Sequence, residues 1–311
     1  MTRAYALALA AAMTCGSAAL AADAESCEAV RLSDPGWTDI TATNAVASVL
    51  LTALGYEPEV KTLSVPIGYE AMKNADIDVF LGNWMPAQAS FRDDLEAAGA
   101  AEVLTQNLAG AKFTLAVPDY VAEQGISDFE DLAARGEGFD MKIYGIETGA
   151  PANQSLQKMI DAGDFGLAEW SLVESGEQAM LAQVERAGRS EQPIVFLAWA
   201  PHPMNTAFDL TYLSGGDAYF GPDFGGAQVY TLARTGWAEE CPNAAQFFRN
   251  LVFQVEMENE IMGLILDGAD SVEAAETWLK ENPDAIGPWL EGVTTLDGQP
   301  GLAAVEAALG S

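Results

Sequence analysis

The chain of 311 residues is short of the groups on which most catalysis and nucleic-acid recognition depend. It holds one histidine, three cysteines, and 14 Lys plus Arg against 46 Asp plus Glu. A histidine-based triad or a histidine-rich metal centre would need partners that the sequence does not supply. The formal net charge of −32 at pH 7 repels phosphate backbones and anionic lipid, which excludes nucleic acid and membrane surfaces as partners. Also missing are G-x-S-x-G, a Walker loop, H-E-x-x-H and a G-x-G-x-x-G after a strand. Beyond residue 21 no apolar run is long enough to span a bilayer. The single histidine, His202 in "APHPMN", lies between two prolines and reads as a loop residue near a site, not as a catalytic base.

What is present begins with "MTRAYALALAAAMTCGSAALA", an early arginine and an apolar middle closed by Ala19-Leu20-Ala21. This is the layout of a secretory signal peptide cleaved after Ala21; an N-terminal membrane anchor is disfavoured because the run is short. Cys15 falls inside this leader without the small-residue setting of a lipid-anchor site. The exported chain keeps Cys27 and Cys241, most simply read as one disulfide closing a long loop. Acidic residues are interleaved with apolar ones along the chain, the pattern of a solvated exterior on a folded globule. No cofactor is called for. The abundant oxygen ligands leave room for a structural calcium ion, although no EF-hand spacing occurs.

Strand-like runs at 29–33, 58–65 and 78–82 alternate with helix-like segments at 43–55, 66–76 and 89–99. A second series follows, with strand-like 112–118, a capping box read at Ser127-Asp128-Phe129-Glu130, strands at 141–146, 170–175 and 193–199, and a helix at 176–188. From Cys241 onward the chain is mostly helical. The alternation predicts an α/β fold of βαβ units on a mainly parallel sheet. Two such series and a return segment predict two lobes with a cleft between them. Residues 22–112 with 225–311 form lobe I and residues 113–224 form lobe II.

Tryptophan recurs at the carboxyl ends of the strand-like runs. Trp37 follows the first in "DPGWTD", Trp84 follows "DVFLGN", Trp199 ends "PIVFLAW", and Phe113 opens "KFTLAVP". Taken alone, Trp37 reads as a core anchor and Asp39 as a helix cap. Strand ends of open parallel sheets face the ligand crevice, however, and several indole faces meeting there make a cage for a cation without hydrogen-bond donors, such as a methylated ammonium. Trp170, Trp237, Trp278 and Trp289 sit in helical or strand-start contexts and are assigned to packing.

"DPGWTD", "DVFLGNWMP", "KFTLAVP", "IYGIETG", "FLAWAPH" and the closing "MGLILDG…AAETWLKENPD…PWL" together resemble the periplasmic substrate-binding proteins of ABC importers for quaternary amines. These are the choline-, betaine- and trimethylamine N-oxide-binding proteins. The resemblance covers nearly the whole chain after the leader. It implies a two-lobed Venus-flytrap fold, a periplasmic monomer working with permease and ATPase subunits, and an aromatic box on Trp37, Trp84, Phe113 and Trp199 with Asp39 beside it. It also implies a disulfide at Cys27 and Cys241. Two positions depart from the choline binders, which carry a tyrosine where Phe113 stands and an asparagine where Ala150 stands. Both changes remove polar groups that would meet choline's hydroxyl, and Glu147 remains at the motif as a partner for one oxygen. Trimethylamine N-oxide is therefore the expected ligand and choline or a betaine the alternative. An exported enzyme acting on methylated amines through acidic side chains is a competing reading; a purely structural acidic protein would leave the strand-end tryptophans without a role.

Overall fold

The computed structural model describes residues 22–310, so the expected leader and Cys15 lie outside the described residues. Strand β1 (Ala29–Asp34) is followed by helix α1 (Thr38–Ala53), β2 (Glu57–Thr62), α2 (Val65–Lys73), β3 (Val79–Met85) and α3 (Ala89–Ala97). β1 pairs in parallel with β2 and β3, as two βαβ units require. Helix α1 is rich in Ala, Val and Leu around its whole circumference. The sheet covers one side, and helices Val255–Leu266 and Ser271–Glu281 from the return segment cover another.

The second half repeats the arrangement with β5 (Lys142–Tyr144), β6 (Ser171–Val173) and β7 (Phe196–Ala200), with β5 parallel to both of the others. The long β4 (Ala101–Pro118) and β9 (Gly226–Arg234) join the halves, and the short β8 (Leu210–Tyr212) pairs with β4. The strand order is β2-β1-β3-β9-β4-β7-β5-β6. The expectation of a mainly parallel sheet thus needs correction. The two ends are parallel, but β3–β9, β9–β4 and β4–β7 are antiparallel. Along β4 the residues from Ala101 to Lys112 pair with β9, and those from Lys112 to Ala116 pair with β7. The result is a mixed α/β, two-lobed fold.

Three local expectations also shift. α1 begins at Thr38, five residues before the expected start at 43, which places Asp39 in its first turn. β4 starts at Ala101 rather than 112 because β9, a strand not foreseen, gives its first half a partner. The capping box is one residue later than expected, with Asp128 as the cap and Asp131 as its reciprocal partner.

The return segment is tied to the first residues of the described chain. Cys27 and Cys241 form a disulfide across a sequence separation of 214. Asp23 accepts hydrogen bonds from the backbone N–H groups of Asn243 and Ala244, both at 2.9 Å, and so caps helix Pro242–Asn250.

Candidate functional site

Three strand ends and one crossing strand meet in a cavity lined by Trp37, Trp84, Phe113, Trp199 and Asp39. Trp37 stands between β1 and α1, Trp84 near the end of β3, and Trp199 near the end of β7. Phe113 on β4 is the direct register partner of Trp199. The Trp84 and Phe113 rings stand perpendicular with centroids 6.3 Å apart, so a face of one ring and an edge of the other border the same space. Ala87, Ile146, Pro151, Ala152 and Leu197 complete the apolar lining. Ala150 is buried just before Pro151 and offers no polar group. The space is narrow, almost wholly apolar in its lining and partly open to solvent, which suits one small molecule.

The polar inventory is short, and much of it is spent within the protein. Trp37 Nε1 donates to Glu147 Oε1 at 2.9 Å, and Trp84 Nε1 donates to Asp39 Oδ2 at 3.1 Å. Gln88 lines the cavity, but its Oε1 accepts from the Tyr69 hydroxyl and its Nε2 donates to the Gly82 carbonyl. Asp39 Oδ1 is buried and has no partner. Among the described residues no lysine or arginine lines the cavity. With no cation at hand, burial raises the Asp39 carboxyl to about 8, and the nearby charge of Glu177 adds to the shift. A carboxylic acid held in this way offers a proton to an acceptor, whereas its ionised form offers a charge to a cation.

The structure therefore brings Trp37, Trp84, Phe113, Trp199 and Asp39 together around one cavity. Glu147 lies behind the wall, accepting from the Trp37 indole and not lining the space. Burial raises its carboxyl above the ordinary range. His202, expected near a site, is buried beside it, edge-on to Trp199 with centroids 4.9 Å apart. Trp170, Trp237, Trp278 and Trp289 are buried away from the cavity, as expected of packing residues.

Sequence reasoning missed Glu177. It opens helix Glu177–Ser190 and reaches across to α1, where Thr38 donates to it through both its backbone N–H and its hydroxyl. The available signal was positional, an acid at a helix start just after the carboxyl end of a parallel strand, where the other site residues also lie. Among the described residues no group of three or more His, Cys, Asp or Glu side chains is placed to hold a metal ion, and no helix is long and apolar enough to cross a membrane.

Comparison with known proteins agrees with this architecture. A structure described as an ABC-transporter choline binding protein in complex with choline is 56% identical, covers 92% of this chain and 100% of its own, and superposes with a TM-score of 0.91. A choline binding protein in an unliganded semi-closed conformation, with the same identity and coverage, gives 0.85. The glycine betaine/carnitine transport binding protein GbuC of Listeria monocytogenes serotype 1/2a is 34% identical over 163 residues, 52% of this chain and 53% of that protein. Residues 28–281 match the family model for the substrate binding domain of ABC-type glycine betaine transport systems, and the chain belongs to that family.

Proposed function

We propose that this substrate-binding protein captures one small methylated amine in the aromatic box, with trimethylamine N-oxide as its first ligand. It would deliver the amine, outside the cytoplasmic membrane, to the permease and ATPase subunits of an ABC importer. The observation that carries this reading is a buried, unpartnered Asp39 oxygen set among three indoles and a phenyl ring. Methyl groups bearing partial positive charge pack on the ring faces, each contributing about 0.5–2 kcal/mol when desolvated. Protonated Asp39 donates to the oxide oxygen. Phe113 and Ala150 supply neither a hydroxyl nor an amide, so a ligand with a single acceptor atom is well served. A carboxylate-bearing betaine would face Asp39 with no lysine or arginine to receive it.

Choline is the second reading, favoured by the 56% identical relative described with choline bound. Its fixed charge would be met by an ionised Asp39. We place the division between the lobes where β4 exchanges partners, with residues 22–112 and 225–311 on one side and 113–224 on the other.

Calorimetry with trimethylamine N-oxide, choline, glycine betaine and carnitine, at a pH well below and well above the Asp39 value, tests both readings. The oxide should bind with affinity that falls as pH rises above about 8, because the acceptor needs the proton. Affinity for choline should instead rise toward that pH and then level off. A tighter, rising choline isotherm would replace the oxide with the quaternary cation, and no binding of any of the four would remove the amine reading.

A further inference from the structure

Residues 37 and 38 belong to the β1–β3 half, yet each is held by a carboxylate from the β5–β7 half. Glu147 takes the Trp37 indole N–H at 2.9 Å. Glu177 takes the Thr38 backbone N–H at 3.0 Å on Oε2 and the Thr38 hydroxyl on Oε1. Thr38 is the first residue of α1, and the position before it, Trp37, supplies no side-chain cap. A helix start leaves backbone N–H groups without partners and carries partial positive charge, and a carboxylate satisfies both needs. α1 is therefore capped by the opposite half of the molecule.

Glu177 is itself held in place. His202 Nδ1 accepts the Met204 N–H at 2.9 Å, which puts the ring proton on Nε2 and directs it at Glu177 Oε1, 3.2 Å away. Both side chains are buried. Burial opposes the charge on Glu177, but the His202 and Thr38 hydrogen bonds keep its carboxyl below the ordinary range. Opening the cleft would strip the cap from the helix whose first turn carries Asp39.

We infer that Glu177 is a positioning residue for ligand retention: it caps α1 from across the cleft and so stabilises the closed form without touching the ligand. This deepens the amine-binding reading, but the contact itself forms whatever ligand the cleft holds.

The test is a distance measurement between spin labels on the two halves, at Glu70→Cys and Gln157→Cys, with and without saturating trimethylamine N-oxide or choline. Stopped-flow tryptophan fluorescence supplies dissociation rates for the same samples. Glu177→Ala should move the distribution toward the open distance in both states and speed release of bound amine about tenfold or more. Glu177→Gln, which keeps an acceptor, should recover part of both effects. Thr38→Val, which removes only the hydroxyl arm, should fall between parent and Glu177→Ala. Variants that keep the parent's distances and rates overturn the inference even if they melt at lower temperature, and so does a parent that never reaches the closed distance. If the parent closes but binds neither amine, the labels still decide the role of Glu177, and the failure falls on the ligand reading alone.

Discussion

An acid buried at the start of a helix with no cation beside it holds its proton far above the usual carboxylate range, and Asp39 does so up to about 8. The folded value is raised, so the stability linked to this group is fully present below the unfolded value and is lost as pH rises through the folded one. Asp39→Asn should remove that loss. Urea unfolding at acidic and at mildly alkaline pH should show a stability gap in favour of the variant that widens with pH. The same variant should keep much of the oxide binding, since its amide Nδ2 donates where the acid did while its oxygen still accepts from Trp84, and should lose affinity for choline, which needs the charge. Trp37→Ala, Trp84→Ala and Trp199→Ala should each weaken binding by about 1–3 kcal/mol in calorimetry, through lost burial and lost cation–π attraction. Trp278→Ala and Trp289→Ala should lower the melting temperature and leave affinity nearly unchanged, because both rings pack against each other at 6.4 Å away from the cavity. The three tryptophan positions were legible in the sequence because strand ends are readable from composition, whereas Phe113, expected to open its strand, lies well inside β4. Glu147 was placed against the ligand and Glu177 was passed over for one reason: which acid faces the cavity and which faces a neighbouring helix depends on how two distant segments dock.

At the scale of elements, the join between the halves is close-packed. Gly225 has φ +72°, and a Cβ there would lie 1.8 Å from the Phe113 carbonyl oxygen on β4. Neither the left-handed backbone nor that backbone contact accommodates a side chain. Gly225→Ala should therefore cost more than about 2 kcal/mol of stability in denaturant titration and disturb the Phe113 wall. The sequence hid this region. "GAQVYTLAR", which forms β9, has a strand's residues but lies outside the two alternating series, and its role depends on pairing with β3 and β4 far away in the chain. The early start of α1 was hidden for a related reason, since its cap is Glu177, 139 residues downstream. By contrast, the βαβ alternation at both ends was readable because parallel strands need their helices close by in sequence.

For the molecule as a whole, the Cys27–Cys241 disulfide spans a sequence separation of 214 and fastens the return segment to β1. A loop of this length implies about 5 kcal/mol of stabilisation in the chain-entropy view. Reduction should lower the melting temperature by several degrees and leave the amine affinity within about twofold, because neither sulfur borders the cavity. Free thiols in the denatured, unreduced protein should be absent from these two positions. The partner exchange along β4 has a mechanical consequence as well. β4 and β9 reach the division between the halves side by side, at the register partners Lys112 and Gly226. Two laced ribbons bend together much more easily than either can swivel about the other. Any relative motion of the halves should thereby reduce to nearly one angle, like the leaves of a book on its spine. A gauge fixed anywhere across the opening would read the same coordinate, so one well-chosen distance reports the state of the whole protein.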